Sequence, residues 1–401
     1  MKDDGKTRLS LCRLRCSVRI GTPPGALSRM PGKGAHPRRG RKAPEELLQR
    51  FLFGVCGMRE LTKNPESFCT LGIETSCDET GLCLLRGART VFAEVLASQI
   101  EEHAPYGGVI PEMASRRHQE MFLPLLRELF LRGGIQDPSR EIDLIAVTQG
   151  PGLMGALLVG VMSAKGLAQG WDLPLLGINH LEGHIFANVL HSPFLEPPFL
   201  NLVVSGGHTE IVLVRDYGIY ELLGRTRDDA AGEAYDKVAK MLDLGYPGGP
   251  KVDALAAQGD PGAFDLPVPL GNSPEMDFSF SGLKTAVLWK IEALKKEGPS
   301  PFPLEDLCAS FQRAVVASLT GKVRLAMKHT GLSRVAVSGG VAANRGLRQG
   351  LLEIPGGEIF LPPPALCTDN AAMIAAAGYN GYMRGRRGDL ALSPNPGMVL
   401  A

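Results

Sequence analysis

No uninterrupted apolar run in this 401-residue sequence reaches the roughly 18–20 residues that a membrane-spanning helix needs. The richest stretch, Leu153 to Gly166, is broken by Gly155 and Gly160 and carries Lys165 at its end. That excludes a helical membrane protein. Cysteine is sparse too: eight residues with no dense framework exclude a secreted disulfide scaffold and fit a reducing compartment. Glycine (49) and proline (30) stay short of the low-complexity range, while supplying many tight turns. With 44% hydrophobic and 21% charged residues, the chain is globular and long enough for two domains.

Net charge is nearly absent as well, at +1, but the balance is uneven. Residues 1–57 hold thirteen Lys/Arg against Asp3, Asp4, Glu45 and Glu46, a charge of +9, which leaves −8 for residues 58–401. The charge of the body alone argues against nucleic-acid binding. Residues 1–66 show no sustained periodicity and are rich in Gly, Pro, Ser and Arg. They read as a disordered basic arm, as an organellar transit peptide, or as sequence upstream of a true start at Met58.

From Cys69 the pattern becomes that of an α/β protein. Strands are predicted at Cys69–Thr75, Leu82–Leu85, Thr90–Ser98, Asp143–Thr148 and Leu175–Asn179, with helices at Glu112–Arg132, Leu153–Gln169 and from His180. Beyond the proline-rich link Pro193–Pro198 the same opening recurs, with strands at Leu200–Ser205, Glu210–Arg215 and Tyr220–Arg225. Helices follow at Asp228–Leu242, Leu304–His329 and Asn344–Leu352, with strands at Arg334–Ser338 and Glu358–Leu361, and a last helix near Asp369. The repetition predicts a duplicated two-lobe fold, residues 67–192 and 199–385, with a tail at 386–401 and a ligand cleft between the lobes.

Several short segments carry chemistry. His180-Leu181-Glu182-Gly183-His184 sets two imidazoles one helical turn apart, a spacing for joint metal ligation or for two unrelated surface histidines. Asp369 in Cys367-Thr368-Asp369-Asn370 is the candidate third ligand. Two histidines with one carboxylate suit iron(II) or zinc. The motif is not H-E-x-x-H, so a metalloprotease reading lacks its general base. Ser205-Gly206-Gly207-His208-Thr209 and Ser338-Gly339-Gly340 read as anion-cradling turns or plain connections. Neither ends in Gly-Lys-Ser/Thr, so neither is a Walker loop. Asp228 or Asp229 can cap the next helix, and Asp236 lies inside it either on a solvated face or as a ribose acceptor. The glycine-lined loop Tyr246-Pro247-Gly248-Gly249-Pro250 precedes Asp253.

Together with Leu71–Thr80 (LGIETSCDET), Tyr106–Glu112 (YGGVIPE) and Phe278–Thr285 (FSFSGLKT), these segments, in order, closely resemble the TsaD/Gcp family of tRNA N6-adenosine threonylcarbamoyltransferases, nearest to its bacterial type. The likeness covers roughly residues 69–385. It implies the two-lobed fold of actin, Hsp70 and sugar kinases (the ASKHA fold). It also implies transfer of threonylcarbamoyl from threonylcarbamoyl-AMP to N6 of adenosine 37 in tRNAs reading ANN codons. In that light His180, His184 and Asp369 hold one divalent metal. Val203, Val204, Ser205, Gly206, Gly207, Asp236, Gly249, Asp253 and Asn344 hold the nucleotide-type ligand. Asp78 or Glu79 is the candidate base for the adenine amine. The resemblance further implies a TsaB-type paralogue and a TsaE-type ATPase as partners and a cytoplasmic enzyme, or a mitochondrial one if residues 1–57 are a transit peptide. Arg116, Arg117, Lys284 and Arg345 are candidate tRNA contacts. Two positions depart from the family pattern: Asn179, where many relatives have histidine, and Glu210, where glutamine is common.

Overall fold

The computed structural model describes residues 64–271, 273–296 and 302–400. The basic extension, up to residue 63, lies outside them. Two five-stranded sheets are present among the described residues. The first contains β1 (Cys69–Glu74), β2 (Glu79–Arg86), β3 (Thr90–Ser98), β4 (Leu144–Gly150) and β5 (Leu175–Asn179) in the order β3-β2-β1-β4-β5. The second contains β6 (Phe199–Val204), β7 (Thr209–Asp216), β8 (Ile219–Arg225), β9 (Arg334–Ser338) and β10 (Glu358–Phe360) in the order β10-β9-β6-β7-β8. Counted within each half, both orders read third, second, first, fourth, fifth. The first three strands of each half are antiparallel and the last two join in parallel. The duplication expected from the recurring opening is therefore a duplication of topology.

The central strands β1 and β6 are buried along their whole length, which is why they read as apolar runs rather than alternating ones. Alternate residues serve different cores. On the outer face of the first sheet, α1 (Pro111–Gly133) and α2 (Met154–Trp171) pack around Leu71, Ile73, Leu84, Phe122 and Val161. Proline opens α1 and Gly134, at φ +67°, closes it. Next come α3 (His180–His191), α4 (Ala231–Met241), α5 (Gly249–Ala256), α6 (Ser281–Lys296), α7 (Leu304–Thr330) and α8 (Arg345–Leu352). The helices α4 to α8 build the second lobe's outer core with Leu202, Val204, Tyr235, Phe278, Phe311 and Val337.

Between the sheets lie α3 and the last helix, α9 (Ala371–Met383). The sequence grouped α9 with the second lobe, yet it packs against β1, β2 and β4 of the first sheet and against α3. Its alanine-rich face permits this. A Cβ on Gly72 of β1 would sit 2.3 Å from the Ala371 carbonyl oxygen, and one on Gly378 would sit 2.3 Å from the Ala146 Cβ. Helix and sheet touch backbone to backbone.

Some element boundaries differ from the sequence reading, for identifiable reasons. Helix α4 begins at Ala231, not Asp228, because neither aspartate caps it. Asp228 instead accepts the amides of Phe280 and Ser281, capping α6 from a distance, and Asp229 pairs with Lys237 and Lys284. The loop predicted at Tyr246–Pro250 ends earlier, since α5 starts at Gly249 and contains Asp253. Asn344 is the N-cap of α8 rather than its first turn, accepting the Leu347 amide at 2.8 Å.

Placing a methyl group at position 72 forces β1 and α9 apart. We expect Gly72→Ala to lower unfolding stability by about 1–3 kcal/mol, read as a shift in the urea midpoint at unchanged slope. A midpoint equal to wild type would show that the contact is slack.

Candidate active site

The first turn of each half occupies the same topological place. Ser76 to Asp78 joins β1 to β2, and Ser205 to His208 joins β6 to β7. Both turns line one cavity of about 690 Å³, together with His180, Asp369, Glu79, Asp236, Lys237 and Tyr246. In the second turn the Ser205 amide donates to the His208 carbonyl at 2.8 Å and the His208 amide to Ser205 Oγ at 3.1 Å. A Cβ on Gly206 or Gly207 would meet nothing within 4 Å, so the space beside this turn is left free for a ligand.

Three elements converge on the metal-type cluster. Asn179 ends β5 and caps α3: its Oδ1 accepts the amides of Leu181 (2.8 Å) and Glu182 (3.4 Å), and its Nδ2 donates to the Val399 carbonyl. The first two turns of α3 then present His180 and His184, with ring centroids 4.7 Å apart. Asp369 arrives from the segment before α9, whose N-cap, Asn370, accepts the Met373 amide. Asp369 Oδ1 stands 3.4 Å from His180 Nε2 and 3.2 Å from His184 Nε2. His184 is fully buried, and neither of its ring nitrogens makes a directed hydrogen bond. A buried imidazole left unsatisfied, facing a second imidazole and a carboxylate, is the donor set of a divalent cation site. His180, by contrast, is fixed: its Nδ1 lies 3.1 Å from Glu74 Oε2 and 3.2 Å from Ser76 Oγ.

Electrostatics separate the acids of the cavity. Burial alone would lift the Asp369 carboxyl, but the neighbouring imidazoles of His180 and then His184 hold it well below the usual carboxylate range. Glu79 goes the other way, pushed up to about 9 by burial and by the negative charges of Asp369 and Asp78. Asp78 is buried, and its Oδ2 has no hydrogen-bond partner. His208 is pushed down to about 4 by burial and by the nearby histidines, so it is neutral at physiological pH.

The remaining residues singled out in the sequence are dispersed. Val203 and Val204 are wholly buried strand residues whose side chains do not reach the cavity. Asp236 lines it and accepts the Gly248 amide at 2.7 Å, pinning the loop before α5, and burial raises its carboxyl. Gly249, Asp253 and Asn344 do not line this cavity. Asp253 and Asn344 meet instead at Gln312, which accepts from Asn344 Nδ2 at 2.7 Å and donates to Asp253 at 3.2 Å. Gln312 was missed because nothing in its helical context marks it. Glu74 was missed as well; its only signal was an acid ending an apolar strand. Of the candidate nucleic-acid contacts, Arg117 pairs with Glu102 and Glu120, Lys284 with Asp229 and Arg345 with Asp253. Arg116 is exposed.

The sequence model of the TsaD family, described as tRNA N6-adenosine threonylcarbamoyltransferase, matches residues 90–376. The chain belongs to this family. The TsaD-family relative from Dictyoglomus turgidum is 50% identical over 334 residues, 82% of this chain and 98% of the relative. That from Symbiobacterium thermophilum is 52% identical, covering 82% and 96%. Both are named tRNA N6-adenosine threonylcarbamoyltransferase. Among solved structures, HypF from T. kodakarensis superposes with a TM-score of 0.56 at 16% identity, over 80% of this chain and 49% of that one. This likeness extends to the fold. Within the TsaD-family chain, the cavity thus joins the His180–Asp369 cluster of one half to the glycine turn of the other.

Glu79 predicts a pH effect on the metal-free protein. Its carboxyl in the fold (about 9) lies above its ordinary value of 4.5, so the folded state holds the extra proton. The stabilisation is complete below pH about 4.5 and disappears as pH rises through about 9. Urea midpoints of wild type minus Glu79→Gln should therefore fall from pH 5 to pH 9. A flat difference would mean that Glu79 ionises normally.

Proposed function

We propose that this TsaD-family chain transfers the threonylcarbamoyl group from threonylcarbamoyl-AMP to N6 of adenosine 37 in tRNAs reading ANN codons. One observation carries the reading: His180 and Asp369 of the metal-type cluster line the same cavity as the Gly206–Gly207 turn. The donor is a mixed anhydride with AMP as its leaving group. Its phosphate suits the free space beside the glycine turn. The resemblance extends the contacts of its nucleoside to Asp236, Gly249, Asp253 and Asn344.

His180, His184 and Asp369 would hold the divalent ion, iron(II) or zinc. When bound, it supplies Lewis acidity and a template for substrate oxygens. The chain's own residues do the rest. The adenine amine attacks the carbonyl carbon, the bond to the AMP oxygen breaks, and the amine proton must leave. The Oδ2 of Asp78, buried and without a donor, suits that proton; Glu79, held neutral, suits hydrogen-bond donation. A weak nucleophile makes orientation by the closely packed turns worth much of the rate.

The proposed site of action is the cytoplasm; among the described residues no helix is long and apolar enough to cross a membrane. A TsaB-type paralogue and a TsaE-type ATPase complete the proposed system. A metalloprotease is disfavoured because no glutamate stands beside His180 in the H-E-x-x-H manner.

The test is mass spectrometry of tRNA nucleosides from an extract depleted of its own transferase and supplemented with this protein, with and without the two partners. Wild type restores N6-threonylcarbamoyladenosine, and His180→Ala does not. Asp78→Asn lowers the turnover rate by about 10²–10⁴-fold, and Glu79→Gln lowers it less. Failure of wild type in every arm would sink the reading.

A further inference from the structure

Glu74 is an ionisable group the mechanism above leaves unused. It ends β1, is fully buried, and has every side of its carboxylate engaged. Oε1 accepts the Ser76 amide at 2.6 Å; Oε2 accepts the Thr148 hydroxyl at 2.6 Å and lies 3.1 Å from His180 Nδ1. Burying a carboxylate is costly unless its partners are fixed, and here they come from three separate elements.

We infer that Glu74 is the positioning residue for the metal centre: it keeps the proton of His180 on Nδ1, leaving the Nε2 lone pair free beside His184 and Asp369. This rests on the metal-ligand reading above. The same carboxylate ties that histidine to the Ser76 amide, so the turn bearing Asp78 and Glu79 is registered against the metal-binding atoms. His184 has no such orienter, since its Nδ1 lacks a hydrogen-bond partner. The centre is therefore held through one histidine and completed by the other.

A neutral isostere breaks the arrangement in a defined way. Glutamine at this position has one acceptor oxygen for three donors. With its amide group toward Ser76, two N–H donors oppose one another. With the amide group toward His180, the imidazole must accept at Nδ1 and carry its proton on Nε2, the atom that faces the ion.

The experiment titrates wild type and Glu74→Gln with cobalt(II) and zinc(II), following the cobalt d–d absorption and competition by a chelator. Glu74→Gln should bind both ions about 10–100-fold more weakly, with an altered cobalt spectrum, while Tyr220→Phe, which alters a hydroxyl bonded to Glu182 instead, keeps the wild-type spectrum. Wild-type affinity and spectrum in folded Glu74→Gln would overturn the inference while leaving the metal reading intact. Wild-type protein that binds neither ion would remove both. Should Glu74→Gln not fold, zinc-loaded wild type with ¹⁵N-labelled histidine decides: a His180 resonance protonated at Nδ1, identified by its loss in His180→Ala, supports the assignment, and one protonated at Nε2 overturns it.

Discussion

The close approach of α9 to the first sheet is the constraint on which the rest depends. Only a strand with glycine at position 72 and a helix that faces it with small residues, Ala371 and Ala375, can meet at that distance. Because α9 lies flat against β1 and β4, its N-terminal end comes down beside the start of α3. Asp369, some 190 residues away in sequence, is thereby delivered to His180 and His184. The pair α3 and α9 also forms the core shared by both sheets, with Ile185, Phe186 and Ile374 packed against Val212 and Ala336. The same two helices that join the sheets carry or adjoin the residues of the site.

The cavity gathers acids, and the fold gives each a different environment. Glu74 is paired and hydrogen-bonded, Asp369 is kept ionised by two histidines, and Glu79 is held as the neutral acid. The cations nearby are mostly spent internally: Lys237 and Lys284 neutralise Asp229, and Arg345 neutralises Asp253. A large anionic acceptor must find its contacts away from these paired residues, with exposed Arg116 a remaining candidate.

Much of this was legible beforehand. The repeated strand–turn–strand opening gave away the duplicated topology, and His180, His184 and Asp369 could be named from spacing and motif. What escaped depends on contacts between distant segments. The membership of α9 in the first half is invisible because an alanine-rich helix carries no label for its partner. Asp228 looked like the cap of the nearest helix, but the helix it caps begins more than fifty residues later, where two amides were left without acceptors. Gln312 and Glu74 are ordinary residues in ordinary elements until the fold surrounds them with polar partners.

The two halves share a strand order but not a turn. After β1 the connection is Thr-Ser-Cys-Asp, with Glu79 next in β2; after β6 it is Ser-Gly-Gly-His, neutral and open. A symmetric scaffold with two identical turns would accept a ligand equally well in either of two orientations. Here the difference gives the cavity a head and a tail, one end suited to an anion and the other to a cation. A ligand with one anionic end would then meet different partners in its two orientations. The sidedness of the cavity comes from the difference between two loops that occupy equivalent places in the two halves.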